Sequence, residues 1–308
     1  MNNNDKTSSS IPLELFGHVT CGDCVQIMRE QLPDNCIDLT VTSPPYDDLR
    51  DYKGHSFDFR SVADQIIRVT KKGGVVVWVV GDATHNGSET GTSFRQAMYF
   101  MDNGLKLYDT MIYNKNGFRF PDKRRYSQVF EFMFVFSKGW PTTFCPIMDR
   151  KVLWTQPRKT TTKREKDGSY TTRGGQRGSR KYAKRFNIWT YSAGYRKTAK
   201  EKIVFTHPAV FPEKLAQDHI YSWSREGDVI LDPMSGSGTV GKMAKIMKRR
   251  FIGFEIASEY VDIANRRIFA ATESLPNIYA NSETQSKGSA NMYQQIALPI
   301  IDNNKTEL

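Results

Sequence analysis

Cysteine is scarce in this chain: four residues in 308, Cys21, Cys24, Cys36 and Cys145. They are too few and too irregularly spaced for a disulfide framework. One Cys-x-x-Cys pair, Cys21-x-x-Cys24, stands alone, so a redox or zinc reading with His18 and Cys36 as further ligands is the weaker one. Packed, reduced thiols at a strand end are expected instead. Long apolar runs are also missing: no stretch reaches eighteen residues, and no membrane span is expected. The Asn/Ser-rich N-terminus lacks the charged-then-apolar pattern of a secretory signal, and the expected location is the cytoplasm. Acids are nearly absent from one region. Between positions 150 and 200, sixteen Lys or Arg meet only Glu165 and Asp167, a local charge of +14 in a chain of net +11, which leaves the remaining residues together at −3. A basic excess confined to one sixth of the chain points to a local polyanion contact, with a solvated charge run as the alternative.

The length suffices for one large α/β domain or for a domain with an inserted subdomain. Residues 1–10 and 275–308 are polar and weakly periodic and read as flexible tails. Two α/β blocks, 11–138 and 206–274, flank an irregular basic stretch, 139–205. The first block predicts strands at 19–21 and 37–41, a helix over 57–72 ended by Gly73-Gly74, and a strand over 75–80. That last strand is apolar on both faces, the kind found inside a parallel sheet. A helix near 93–102 and strands near 107–113 and 129–136 follow. The second block predicts a helix at 213–223, a strand at 228–232, a glycine turn, a helix at 240–248 and a strand at 251–255. In the basic stretch, Trp154, Tyr170, Tyr182, Trp189, Tyr191 and Tyr195 alternate with cations, a mixture able to stack on bases and neutralise phosphates, or to form a small core.

Two segments carry chemistry. Thr42-Ser43-Pro44-Pro45-Tyr46 follows an apolar strand, and the prolines stop that strand and aim rigid carbonyls beyond its end. With a hydroxyl from Ser43 and a ring from Tyr46, the set suits a flat, amine-bearing substrate, the bland reading being a strand followed by a Pro-Pro turn. The loop Gly236-Ser237-Gly238 lies between strand and helix, lets a ligand approach backbone, and opens a helix with unsatisfied N–H groups. Glu255 follows Gly236 by nineteen residues, near the spacing at which an acid meets a ribose diol. A ribose-containing cofactor is therefore expected. A phosphate-binding loop needs Ser or Thr after its lysine, where this chain has Met243 after Lys242; the Gly236-x-Gly238-x-x-Gly241 dinucleotide pattern alone is weak.

The loop Asp232-Pro233-Met234-Ser235-Gly236-Ser237-Gly238-Thr239 resembles the S-adenosylmethionine loop of the exocyclic-amino DNA methyltransferases, and Thr42 to Tyr46 resembles their catalytic motif. The order of catalytic motif, basic insert and cofactor loop is similar to that of the permuted beta class. Gly22-Asp23-Cys24 resembles the stretch whose acid meets the cofactor's adenine amine, and His207-Pro208-Ala209-Val210-Phe211-Pro212 the motif closing over its methionine part. The resemblance spans about residues 15–138 and 203–270. It implies a Rossmann-like α/β methyltransferase sheet in circularly permuted order, with the basic insert as target-recognition region. S-adenosylmethionine would be the cofactor, with no metal, held by Asp23, Thr42, His207, Phe211, Asp232, Pro233, Ser235, Gly236, Gly238, Thr239 and Glu255. Ser43, Pro44, Pro45 and Tyr46 would be catalytic. Arg158, Lys159, Lys163, Arg164, Arg173, Arg177, Arg180, Lys181, Lys184 and Arg185 would meet double-stranded DNA.

Ser43 where many relatives carry Asp, together with Leu49-Arg50-Asp51-Tyr52, is more similar to the cytosine-N4 group than to the adenine-N6 group, which is the alternative. A cognate restriction endonuclease is a candidate partner, and a monomer or homodimer is expected. A DNA-binding protein of methyltransferase-like fold with little activity, or an enzyme acting on RNA or on a glutamine amide, are the competing readings.

Overall fold

The computed structural model describes residues 10–45, 57–116, 124–152, 160–174, 181–192, 198–199, 201 and 211–272. After a 3-10 turn at Leu13–Leu15 come β1 (Val19–Cys21), α1 (Cys24–Gln31), β2 (Ile37–Thr42), α2 (Phe59–Val69) and β3 (Thr70–Val80). A small hairpin of β4 (Thr84–His85) and β5 (Ser88–Glu89) leads to α3 (Thr92–Asp102), β6 (Lys106–Asn116) and β7 (Phe130–Ser137). Then follow β8 (Arg150–Lys151), β9 (Thr160–Arg164), β10 (Tyr170–Gly174), β11 (Tyr182–Ala183) and β12 (Ile188–Ser192). The chain continues through α4 (Glu213–Trp223), β13 (Val229–Asp232), α5 (Thr239–Ile246), β14 (Arg250–Glu255) and α6 (Ser258–Ala270).

Eight strands form one sheet in the order β1-β14-β13-β2-β3-β7-β6-β12. The first five run parallel, β7 is antiparallel to both β3 and β6, and β12 is parallel to β6. Helices α1, α2 and α3 contact one another in sequence, as do α4, α5 and α6, giving a helical layer for each face. The apolar residues of β3 demand two layers. Val76, Trp78 and Val80 pack with Ile66 of α2 and Phe100 of α3, and Val75, Val77 and Val79 are buried as well. In α2 the stripe Val62, Ala63, Ile66 and Val69 recurs at helical spacing and is buried, while the Asp58 carboxylate caps the helix by accepting from the Arg60 and Ser61 amides at 3.1 and 3.3 Å.

One expectation fails here. The helix stops at Val69 rather than at Gly73-Gly74, and both glycines belong to β3. The register with β2 slips there, from Ile37 opposite Thr70 to Leu39 opposite Val75. Gly73 takes φ +82° where a Cβ would lie 2.3 Å from the Thr142 side chain, and a Cβ on Gly74 would approach backbone oxygens of Lys71 and Ile37 at 2.9 and 3.0 Å. The glycines therefore serve a strand irregularity, not a helix cap.

Among the described residues, 145–185 form a compact unit of their own, and the rest form the other. The smaller unit holds the antiparallel pairs β9–β10 and β8–β11, with buried Ile147 accepting from the Arg185 amide at 2.9 Å. β12 is not part of it. Trp189 is buried against His219 with ring centroids 4.6 Å apart, and the Tyr191 hydroxyl donates to Asp218 Oδ2 at 2.7 Å. Trp189 of the basic stretch thus belongs to the core of the large sheet, and the half-buried Tyr191 is held against α4 by its hydroxyl.

Phe100 is fully buried, with ring centroids 5.2 Å from Trp78 and 4.9 Å from Phe136. Phe100→Ala should cost about 3–5 kcal/mol in urea denaturation; a loss below about 1 kcal/mol would mean that this layer is not the core.

Candidate active site

The C-terminal ends of four adjacent parallel strands bring the sequence motifs together. β1 delivers Gly22 and Asp23, β14 ends on Glu255, β13 on Asp232, and β2 on Thr42, with Ser43 next in the chain. Cys21 is in register with Glu255, and the Gly22 amide donates to the Glu255 carbonyl at 2.9 Å. β13 and β2 are neighbours whose following helices, α5 and α2, belong to different layers, which opens a crevice beyond the strand ends. Across that crevice Thr42 Oγ1 donates to Asp232 Oδ1 at 2.8 Å, with both side chains buried. The same oxygen accepts from the Met234 amide at 3.3 Å. Burial pushes the Asp232 carboxyl up to about 7; the Thr42 and Met234 bonds oppose this, and the Glu255 charge adds to it.

The glycine loop is shaped by close approach. Gly236 and Gly238 have φ of +48° and +74°. A Cβ on Gly238 would sit 2.8 Å from Ala264 Cα, so only glycine lets the start of α5 meet α6. Ser235 Oγ donates to the Asp232 carbonyl at 2.9 Å and Thr239 Oγ1 accepts from Arg267 Nη1 at 3.2 Å. Their hydroxyls therefore brace the loop from within. Glu255 accepts from the Gly236 amide through Oε2 at 2.8 Å and from the Ala257 amide through Oε1 at 3.0 Å, which fixes its carboxylate beside the loop. Asp23 caps α1, taking the Val25 and Gln26 amides at 2.7 and 3.2 Å on Oδ1 while Oδ2 takes no part in the cap. These residues fit a nucleoside: two carboxylates with unused acceptor capacity on neighbouring strand ends, beside a loop held without Cβ atoms.

Ser43 and Pro45 are half-buried at the crevice and Pro44 is buried; Pro233 is buried under the loop, and Phe211 is half-buried just before α4. Tyr46 and His207 lie outside the described residues, as do Arg158, Lys159, Arg177 and Arg180. Lys163, Arg164, Lys181 and Lys184 are exposed in the smaller unit, where Arg173 stands on β10. Arg185 is tied to Asp149 by an ion pair, its Nε donating at 2.8 Å, so its charge is already matched.

Sequence reasoning missed a charged cluster beneath the loop. Lys242 on α5 donates to Glu213 at 2.7 Å and pairs with Glu201, and buried Arg267 on α6 donates to Glu213 at 2.8 Å and to the Ser237 carbonyl. Lys242 thus holds carboxylates, which disposes of the phosphate-loop reading. The partial signal was Glu213, Lys242 and Arg267 on helices otherwise rich in buried residues. Burial and then the Asp23 charge push the Cys24 thiol up to about 12, and burial pushes Cys36 up to about 11, which disfavours the thiolate form of both. Among the described residues no group of three or more His, Cys, Asp or Glu could hold a metal.

Parallel strand ends, a glycine loop opening a helix and an acid on the next strand define a Rossmann-like fold that takes a nucleoside cofactor. A DNA methylase family model matches residues 37–266, and the chain belongs to that family of S-adenosylmethionine-dependent DNA methyltransferases. It is 55% identical over 243 residues to the orphan methyltransferase M.BamHII of Bacillus amyloliquefaciens, covering 78% of this chain and 92% of that one. It also resembles the structure of PvuII DNA methyltransferase, titled cytosine-N4-specific, at 21% identity with a TM-score of 0.58, covering 87% of this chain and 95% of that one. The M1.HpyAVI–SAM complex is similar at 22% identity and a TM-score of 0.53, covering 81% and 98%. At these identities the two structures support the fold.

Asp232 has a definite pH signature. Its folded value of about 7 lies above the ordinary 3.8, so the folded chain binds a proton that the unfolded chain has lost. Stability is therefore highest below the unfolded value, falls as pH rises through the window between the two, and levels off above the folded one. The slope contributed is up to about 1.4 kcal/mol per pH unit. Between pH 5 and 7.5 the parent chain should lose stability relative to Asp232→Asn in urea titrations; parallel profiles would contradict the assignment.

Proposed function

We propose that the enzyme methylates the exocyclic N4 amine of a cytosine flipped out of duplex DNA. Ser43 carries this reading: the residue that directly follows β2, just ahead of Pro44, has a neutral hydroxyl where an acid would favour the adenine-N6 alternative. An exocyclic amine is conjugated with its ring and weakly nucleophilic. Ser43 Oγ and the Pro44 carbonyl accept hydrogen bonds from its two N–H groups and draw the nitrogen toward a tetrahedral shape, freeing its lone pair; the cationic methylated amine is acidic and gives up one proton to solvent, with the neutral thioether as the other product. S-adenosylmethionine supplies, when bound, a methyl group on a positively charged sulfur, so no nucleophilic side chain is needed. In the proposed complex Asp23 takes the adenine amine, Glu255 the ribose hydroxyls, and His207 and Phe211 cover the methionine part. Orienting donor and amine in line accounts for ~7–11 kcal/mol of the barrier at most. Tyr46 stacks on the extruded base, offsetting part of an unstacking cost of a few kcal/mol.

The basic stretch of residues 150–200 supplies the phosphate contacts, which its local charge of +14 supports. The restriction-modification setting of relatives titled type II methyltransferases, such as M.BglII of Bacillus subtilis, is proposed for this chain too. Nucleoside analysis of DNA methylated by the purified enzyme should yield N4-methylcytosine; N6-methyladenine alone would reverse the choice of base. Ser43→Ala should lower kcat about a hundredfold or more while leaving cofactor affinity within about threefold. An equal loss of cofactor binding would make Ser43 structural.

A further inference from the structure

The smaller unit contains a separate two-stranded sheet, a ribbon whose two faces differ in chemistry. β9 and β10 pair antiparallel, with Arg164 opposite Tyr170, Thr162 opposite Thr172 and Thr160 opposite Gly174. Successive side chains on a strand point to opposite faces, so these six positions share one face, and Lys163 and Thr171 stand on the other. On that other face Lys163 and Thr171 share one carboxylate. Thr171 Oγ1 donates to Glu165 Oε1 at 2.5 Å, and Lys163 Nζ donates to Glu165 Oε2 at 3.0 Å.

The turn is fixed as well. Asp167 Oδ1 accepts from the Ser169 amide at 2.9 Å and from its hydroxyl at 2.7 Å, and Gly168 takes φ +86°. The two acids in the stretch between positions 150 and 200 are thus spent on building this hairpin, and these bonds hold both carboxyls below their ordinary values. On the first face, Thr160, Thr162, Arg164, Tyr170 and Thr172 are exposed, Tyr170 by 68%, and none has a side-chain partner among the described residues.

We infer that the β9–β10 ribbon is a base-reading arm that enters the major groove of the target duplex with its Arg164/Tyr170 face toward the base edges. This rests on the proposal that the basic stretch contacts DNA. A two-stranded ribbon has the cross-section the major groove admits. The face offers what reads bases there: a guanidinium that can take guanine O6 and N7 together, threonine hydroxyls that donate or accept, and threonine methyls for the thymine methyl group. The surrounding cations, on a stretch of charge +14, would bind phosphates and set register without reading sequence.

Adjacent threonines on opposite faces make the test. Full-length parent, Arg164→Ala, Thr172→Val and Thr171→Val proteins would methylate genomic DNA with labelled S-adenosylmethionine, and the modified sites would be mapped by sequencing. Thermal melting and cofactor titration of each protein establish that it is folded. Arg164→Ala and Thr172→Val should lower kcat/KM on the preferred sequence about tenfold and relax the mapped motif at one position each. Thr171→Val, on the closed face, should change neither by more than about twofold. Equal effects of Thr171→Val and Thr172→Val, or an unaltered motif in Arg164→Ala, would overturn the ribbon as reader.

Affinity for a duplex of unrelated sequence, measured against salt, separates this from the underlying reading. A variant lacking Lys181 and Lys184 charges should bind that duplex more weakly and with a shallower salt slope, whatever the ribbon does. That loss with unchanged motifs in the ribbon variants would keep the DNA contact and reject the arm; no loss in any variant would reject both.

Discussion

Two side chains of β2 fasten it to β13, and the site depends on that seam. At one end Asp38 Oδ2 accepts from the Val229 amide at 2.9 Å; at the other Thr42 Oγ1 donates to Asp232 Oδ1 at 2.8 Å. Segments 190 residues apart in sequence are thereby joined at their strand ends. Ser43 is the next residue after Thr42, and the glycine loop begins one residue after Asp232. The position of Ser43 and Pro44 relative to the glycine loop is set by this parallel pair and its end bond, not by the loops themselves. The bond is charge-assisted when Asp232 is ionised, and such a bond contributes about 1.5–3 kcal/mol. Burial acts against ionisation, so Asp232 sits close to the boundary between its two states at neutral pH.

Beneath the loop, Lys242 and Arg267 share the Glu213 carboxylate, with Glu201 beside them. Replacing one member of a buried ion cluster strands the others, so such clusters fix geometry more than they add stability. Here the geometry fixed is the entry into α5: Arg267 holds the Ser237 carbonyl and Thr239 Oγ1, the residues on either side of Gly238. The loop is preorganised from behind, while its Gly236 amide faces Glu255.

Much of this was readable in the residues. Alternating and doubly apolar runs located the strands, and the helix at residues 213–223 was read with the bounds it has. Carboxylates at 23, 232 and 255 fell on neighbouring strand ends because each closes an apolar strand or follows one directly. The failures share a cause: long-range contact overrode a local signal. Gly73-Gly74 looks like a helix terminator, yet the neighbouring backbone of Ile37 and the Thr142 side chain require glycine there for packing. Trp189 and Tyr191 sit amid cations in sequence, yet their strand pairs with β6. The cluster around Arg267 joins residues from three helices and the isolated position Glu201, a convergence no window of sequence contains. Conversely, the closed and open faces of the ribbon follow from strand register, which spacing alone does not fix.

Through Asp232, Thr42 is proposed to govern the loop's grip on the cofactor. A double-mutant cycle on cofactor affinity tests it directly, using calorimetry on the parent, Thr42→Val, Asp232→Ala and the double variant. Thr42→Val should weaken S-adenosylmethionine binding in the parent background and have no further effect once Asp232 is alanine, a coupling of about 1–3 kcal/mol. The same loss in both backgrounds would show that the two residues act independently and would contradict the account.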